Sequence, residues 1–219
     1  YTADRAVVFV SGPIDEERTL AKTIKHLEGI DLATAQAGST RIKPLASAAQ
    51  TLTINRNVHQ AHVMIGGQAV AASDKRRMPL VLLNNILGGP GMNSRLNLSL
   101  RERHGLVYTV ESNYTGYTDC GVWSIYFGCD QKDISRCTRL AQREMDRLMQ
   151  HPLSERQLAA AKRQLRGQLA LSYDQHEAIA TGMGKTFLHS GVYRTAEEII
   201  ERIEAITAGE LQDVAQETF

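Results

Sequence analysis

Two neighbouring strand-like runs constrain the fold more than any other feature of the sequence. They are Val107 to Tyr114 and Gly121 to Gly128, and in the second run the large apolar residues Trp123, Ile125 and Phe127 recur at every second position and share one face. Such alternation is typical of strands with one buried and one solvated face. It favours an antiparallel sheet that needs a second layer to cover its apolar side.

Helices after residue 133 can supply that layer. Two apolar stripes recur at helical spacing, one through Ile134, Cys137, Leu140, Ala141, Met145 and Leu148 and the other through Leu158, Ala161, Leu165 and Leu169. Three capping boxes mark helix starts, and they pair Ser154 with Gln157, Thr195 with Glu198, and Thr207 with Glu210.

The N-terminal region mixes short strands and helices. Arg5 to Val10 predicts a buried strand, residues 14 to 29 a helix ended by Gly29, and residues 31 to 50 a surface loop. A hairpin is predicted from two alternating runs joined through Asn55 to His59, namely Thr51 to Ile54 and Ala61 to Ile65.

The central segment predicts two helices separated by a glycine-rich stop. Residues 74 to 87 have a helical pattern that Pro79 should bend or shorten, and Gly88 to Gly91 end it. A second helix starts near Asn93, and Gly105 suits its left-handed cap. The element order predicts a two-layer α+β fold with a largely antiparallel sheet and helices on one face, which we expect to form one domain over residues 1 to 219.

Composition excludes several classes of partner. Twenty-five basic and 24 acidic residues give a net charge of +1, so no global field attracts nucleic acid or anionic lipid. The longest apolar runs fall far short of the ~20 residues that a bilayer span needs.

The start at Tyr1, without a leader pattern, suggests a piece of a longer polypeptide. The three unpaired cysteines only slightly favour a reducing, cytoplasmic compartment over the periplasm.

Familiar catalytic motifs are missing from the sequence. His59 and His62 form its closest histidine pair, but an offset of three on a strand points the two rings to opposite faces, so we predict no metal site. There is no inverted H-x-x-E-H and no G-x-S-x-G, and the Gly88 to Gly91 cluster predicts a turn rather than a phosphate loop. Cys120, Cys129 and Cys137 lie in or beside apolar elements and are expected to be packing residues.

One constellation stands apart. Arg95, Arg101 and Arg103 crowd a short helix that runs through Gly105 into the strand bearing Tyr108. From composition alone, these residues indicate a solvated basic face followed by a half-buried tyrosine.

The same segment resembles a known family. Two stretches are similar to the C-terminal half of the insulinase, pitrilysin and mitochondrial processing peptidase family of zinc metallopeptidases. They are Leu87-Gly88-Gly89-Pro90-Gly91-Met92-Asn93-Ser94-Arg95-Leu96 and Leu100-Arg101-Glu102-Arg103-His104-Gly105-Leu106-Val107-Tyr108. Weaker similarity extends over nearly the whole chain. Asn93, where a serine is commoner, and Pro79 depart from the pattern.

The resemblance implies a division of labour between two similar α/β halves. Zinc and the catalytic glutamate would belong to an H-x-x-E-H motif on the N-terminal half, and this chain would bind no metal itself. Arg101 and Tyr108 match the family's arginine and tyrosine that reach the peptide substrate: Arg101 would hold its backbone and Tyr108 would stabilise the developing oxyanion.

The missing zinc motif leaves three alternative identities for the chain. The first is an excised C-terminal half, and the second is the non-catalytic subunit of a dimer with a zinc-bearing homologue. The third is a scaffold or peptide-binding relative without catalysis. The truncated start favours the first, and retention of both Arg101 and Tyr108 argues against the last.

Overall fold

A computed structural model of the chain describes residues 6–28, 30, 48–56 and 58–219. Contacts divide the chain into two compact units, one comprising Tyr1–Arg41 with Gln168–Glu198 and the other Ile42–Gly167 with Ile199–Phe219. No helix in these described ranges is both long enough and apolar enough to cross a membrane.

The second unit is built on a three-stranded antiparallel sheet. Its strands are β1 (Gln60–Ala69), β2 (Val107–Gly116) and β3 (Gly121–Asp130), and β3 lies in the middle. Trp123, Ile125 and Phe127 are buried as the alternation predicts, because their face of β3 lies in the core.

Helices cover that face of the sheet. The described part of the chain has the helices α1 (Glu16–Leu27), α2 (Arg77–Gly88), a π-helix (Asn97–Glu102), a short 3-10 helix (Gln131–Asp133), α3 (Ile134–Gln150), α4 (Glu155–Tyr173), α5 (His176–Ser190), α6 (Ala196–Ala205) and α7 (Ala208–Thr218). In the second unit α2 contacts β2, α3 contacts β3 and α7 contacts β1. The opposite face carries exposed side chains such as Met64, so the prediction of a two-layer α+β fold is confirmed.

Close backbone packing fixes α2 against β2. A Cβ on Gly88 would lie 2.5 Å from the backbone nitrogen of Ser112, so only glycine allows this approach. One helical turn earlier, the buried Asn84 accepts a hydrogen bond from the Ser112 hydroxyl and donates one to the Leu80 carbonyl. Pro79 is tolerated because it lies in the first turn of α2, where backbone N–H groups need no helical partner.

The capping-box patterns predicted three helix starts correctly. The three capping boxes are present at Ser154, Thr195 and Thr207, each with its side-chain and backbone hydrogen bonds. In the first unit, Asp15 caps α1 and Gly191 adopts φ +65° after α5. The predicted stop at Gly29 and most of the predicted loop, residues 31–47, lie outside the described residues.

Two predicted strands are wrong in the described part of the chain. Residues 6–10 form no strand, and Val8 and Val10 are exposed. Residues 51–54 also form none, and β1 pairs with β3 instead of forming the predicted hairpin. The physical reason is that β-branched residues give only a propensity, whereas a strand requires a partner that supplies its backbone hydrogen bonds.

Candidate functional site

Arg101 lies in the π-helix of the second unit and points into solvent. The helix begins with an α-helical turn at Arg95 and Leu96 and then widens, as shown by the bond from the Arg103 N–H to the Leu98 carbonyl, five residues back, at 3.1 Å. Leu96 and Leu100 are completely buried on its inner side. Their burial leaves the Arg101 side chain on the exposed side.

A glycine cap ends this helix and leads directly into β2. Gly105 has φ +60°, a conformation that glycine adopts without strain, and its N–H donates to the Arg101 carbonyl at 2.9 Å. His104 Nδ1 lies 2.6 Å from the Ser99 carbonyl, so Nδ1 carries the proton and donates it. These bonds satisfy carbonyls that the helix end would otherwise leave unpaired.

Tyr108 is the extra residue of a β-bulge. Val107 pairs with Cys129 and Thr109 pairs with Gly128, so Tyr108 has no partner of its own on β3. Alternation is broken there: Val107 is buried, whereas Tyr108 and Thr109 are both exposed. A bulge re-aims side chains, and here it leaves Tyr108 73% exposed at the start of β2.

The Arg101 guanidinium and the Tyr108 hydroxyl lie on either side of the connection between the π-helix and β2. The π-helix packs on β2, and only residues 102 to 107 separate Arg101 from Tyr108. Within the described residues, neither the Arg101 guanidinium nor the Tyr108 hydroxyl has a hydrogen-bonding partner. A guanidinium can donate to peptide carbonyls, and a phenol can donate to an oxygen that gains negative charge.

The other arginines of the predicted basic helix have different environments. Arg103 is exposed, whereas Arg95 is partly buried. Burial lowers the pKa of Arg95, and the charge of Glu144 partly opposes that shift. Glu144 is itself buried and accepts a hydrogen bond from Arg147 Nη1 at 2.6 Å. The sequence suggested one solvated basic face, but the structure exposes Arg101 and Arg103 and partly buries Arg95.

The described residues contain no group of three side chains suited to hold a metal ion. His62 lies on the exposed face of β1 with Nδ1 2.7 Å from the Tyr126 hydroxyl, and the two rings are stacked. His59 precedes β1 and is exposed. The chain's described histidines therefore do not fit a zinc site, which requires three convergent ligands.

The cysteines have the environments of packing residues. Cys129 and Cys137 are completely buried, and burial raises the pKa of both thiols, that of Cys137 to about 12. A thiol held in its protonated form is a poor nucleophile. Cys120 is half-buried just before β3.

Sequence reasoning missed both the π-helix and the bulge. The bulge had a detectable signal, because the apolar residues Val107 and Val110 are three apart, whereas Val110, Ser112 and Tyr114 follow at intervals of two. A strand that keeps one face buried through such a shift must contain an extra residue. The π-helix had no comparable signal.

An α+β domain of this kind matches a known class of peptidase domain. Residues 1–165 match the family described as the peptidase M16 inactive domain, and the chain belongs to that family. This confirms the resemblance to the zinc metallopeptidases drawn from the sequence.

Individual relatives agree with this assignment. An uncharacterized zinc protease of Streptomyces coelicolor is 29% identical over all of this chain and 49% of its own length. Two solved structures share the fold over 95% of this chain: a protease from Helicobacter pylori (TM-score 0.85, 18% identity, 51% of that chain) and a peptidase M16 inactive domain from Pseudomonas fluorescens (0.79, 20%, 49%). The chain spans about half the length of the curated relatives it matches.

Proposed function

We propose that this chain is the C-terminal half of a zinc metallopeptidase. It would supply substrate binding and transition-state stabilisation to a zinc site on an N-terminal half or a partner subunit. The observation that carries the proposal is the β-bulge that exposes Tyr108 directly after the helix bearing Arg101. Membership of the family and the zinc-protease names of the relatives support it.

Tyr108 would act on charge that develops during peptide hydrolysis. Its hydroxyl, free of any partner in the described residues, donates a hydrogen bond to the scissile carbonyl oxygen as that oxygen becomes negative. The bulge matters because it directs the phenol to solvent and leaves the neighbouring Val107 in the core.

Arg101 would hold the substrate. Its guanidinium offers several N–H donors in one plane and remains charged at any physiological pH, which suits binding to backbone carbonyls of an extended peptide. Because the helix is anchored by two buried leucines, the guanidinium extends from a fixed base.

Zinc would be held outside this chain. A bound zinc ion activates water and polarises a carbonyl, but the described histidines and carboxylates here form no ligand set for it. The partner that brings the zinc would be the N-terminal half of the same polypeptide or a homologous subunit.

A scaffold or peptide-binding subunit of the same fold is the alternative. The family description as an inactive domain favours it, since an inactive domain can serve a complex without contributing to catalysis. Such a subunit would not depend on the Tyr108 hydroxyl.

Reconstitution with a zinc-bearing half distinguishes the two functions. The polypeptide that contains this chain and its N-terminal half, or a co-expressed pair, is assayed with a library of fluorogenic peptides. We expect zinc-dependent cleavage that falls strongly in Tyr108→Phe. Cleavage that is unchanged in this variant, with zinc retained, would favour the scaffold function.

A further inference from the structure

The outer face of the sheet carries a histidine whose ring is held in one orientation. Ala61 and Val63, the neighbours of His62 along β1, pack on the core, so the His62 side chain lies on the opposite, exposed face. Its Nδ1 lies 2.7 Å from the hydroxyl of Tyr126 on β3. The two rings are also stacked, with 6.0 Å between their centroids and 21° between their planes. Hydrogen bonding and stacking together fix where the imidazole lies.

The same hydrogen bond decides which ring nitrogen can bind a ligand. A phenol hydroxyl is a better donor than the N–H of a neutral imidazole. The Tyr126 hydroxyl therefore donates to Nδ1 of His62, and the ring proton lies on Nε2. Within the described residues, Nε2 of His62 has no hydrogen-bonding partner. The sheet thus presents an oriented N–H donor that the fold itself does not use.

Strand register places this donor in one row with the proposed site. Thr109, directly after Tyr108, lies opposite Gly128 on β3. Gly128 in turn lies opposite His62 on β1, and the Gln60 side chain lies over it, with Nε2 2.8 Å from where a Cβ would stand. The row therefore crosses the sheet without a bulky side chain on β3. Strands β1 and β2 are two strand spacings apart, about 10 Å, which an extended peptide covers in about three residues.

We propose that His62 is a further substrate-binding residue, whose Nε2–H donates to a main-chain carbonyl of the peptide about three residues from the scissile bond. Tyr126 would be the positioning residue that orients it. This inference rests on the proposed function, because Tyr108 defines where the scissile bond lies. A main-chain contact at that distance selects for the length of the peptide on one side of the scissile bond and not for a particular side chain.

Peptide length is the variable that tests this role. A fluorogenic peptide that the reconstituted zinc enzyme cleaves is shortened one residue at a time from either end. We expect His62→Ala to raise KM for the full-length peptide about 3- to 10-fold, the effect of losing one uncharged hydrogen bond, with kcat nearly unchanged. For peptides with fewer than about three residues on the side that crosses the sheet, KM should be the same in wild type and His62→Ala.

Three further variants examine the donor and its orientation. Tyr126→Phe keeps the ring but removes the hydroxyl, so KM should rise with the same dependence on peptide length, and no further when this change is added to His62→Ala. His62→Gln places an amide N–H near the position of Nε2 and should restore part of the lost affinity. Gln68→Ala is the matched control with normal KM, because Gln68 lies on the same face at the other end of β1, about 20 Å from His62.

The outcomes separate the role of His62 from the function on which it rests. An unchanged KM in a folded His62→Ala variant, or a rise that is equal for long and short peptides, would overturn the role of His62 and leave Tyr108 in the site. A further rise in the double variant would overturn the positioning by Tyr126. Near-normal turnover of Tyr108→Phe would overturn the proposed function and the role of His62 with it. Melting temperatures establish that each variant is folded.

Discussion

The hydroxyl of Ser112 on β2 donates a hydrogen bond to the side-chain oxygen of Asn84 on α2, and both residues are buried. This bond joins the strand that begins at the bulge to the helix that precedes the site. We predict that Ser112→Ala lowers the free energy of unfolding by about 1–3 kcal/mol, because Asn84 loses a buried partner. Urea unfolding measures the change. Ser124→Ala, on the opposite face of the sheet, is the control and should change stability by less than about 0.5 kcal/mol.

Tyr108→Phe removes one donor from the proposed site and leaves the ring in place. In the zinc-loaded enzyme we expect kcat to fall about 100- to 1,000-fold, equivalent to about 2.7–4 kcal/mol of transition-state stabilisation. Substrate binding and melting temperature should change little, since the side chain is 73% exposed. Tyr117→Phe, at an exposed tyrosine after β2, should keep normal turnover. Near-normal turnover of Tyr108→Phe would make Tyr108 an ordinary strand residue.

Gly88→Ala should destabilise the second unit. The added methyl group would lie 2.5 Å from the Ser112 backbone nitrogen, so α2 and β2 must separate. Overpacking of this kind costs about 1–3 kcal/mol. Gly167→Ala is the matched control, because a Cβ there meets no atom within 4 Å. Because Gly167 lies in the middle of α4, Gly167→Ala should raise the free energy of unfolding by about 0.5–1 kcal/mol. Thermal or urea unfolding should therefore show shifts of opposite sign.

Buried thiols should make stability fall at alkaline pH. Burial raises the pKa of Cys137 from the ordinary 9.0 to about 12 in the folded chain, so the folded state keeps a proton that the unfolded state loses. The stability that this protonated thiol contributes to the folded state is complete below pH 9.0 and declines between pH 9.0 and about 12. For Cys137 the slope should approach about 1.4 kcal/mol per pH unit.

Urea unfolding of wild type and Cys137→Ala at several pH values isolates this contribution. Cys137→Ala should lower the free energy of unfolding by a constant amount at every pH, because it loses packing. It should also abolish the part of the fall in stability with rising pH that belongs to Cys137. Equal slopes in both proteins would contradict the assignment. Alkylation at neutral pH should also be slow at Cys129 and Cys137 until urea unfolds the chain, because both are completely buried.

The isolated chain should hold no zinc. The described histidines do not converge, and no third ligand lies beside His62 or His59. Elemental analysis after purification without chelator should give far less than one zinc per chain, with no peptide hydrolysis. One tightly bound zinc per chain would overturn the division of labour that we propose. Variants of His59 and His62 would then identify its ligands.

Local patterns in the sequence determined most of the second unit's elements. The alternation around Trp123, Ile125 and Phe127 predicted β3 and its buried face, and the capping boxes predicted three helix starts. These features could be read because each depends on residues a few positions apart. Arg101 and Tyr108 were found by resemblance to a family, since a basic helix before a strand has no unique chemical meaning.

Only the tertiary structure determined which strands pair and which residues lie opposite one another. Gln60 lies opposite Asp130, and no local signal in either segment specifies that register. The exposure of Tyr108 comes from the unpaired residue between the Val107 and Thr109 pairings, and the placement of Arg101 comes from a widened helix held by distant contacts. Strand pairing and side-chain burial depend on residues far apart in the chain, so local sequence determines which elements form and long-range packing determines where their side chains point.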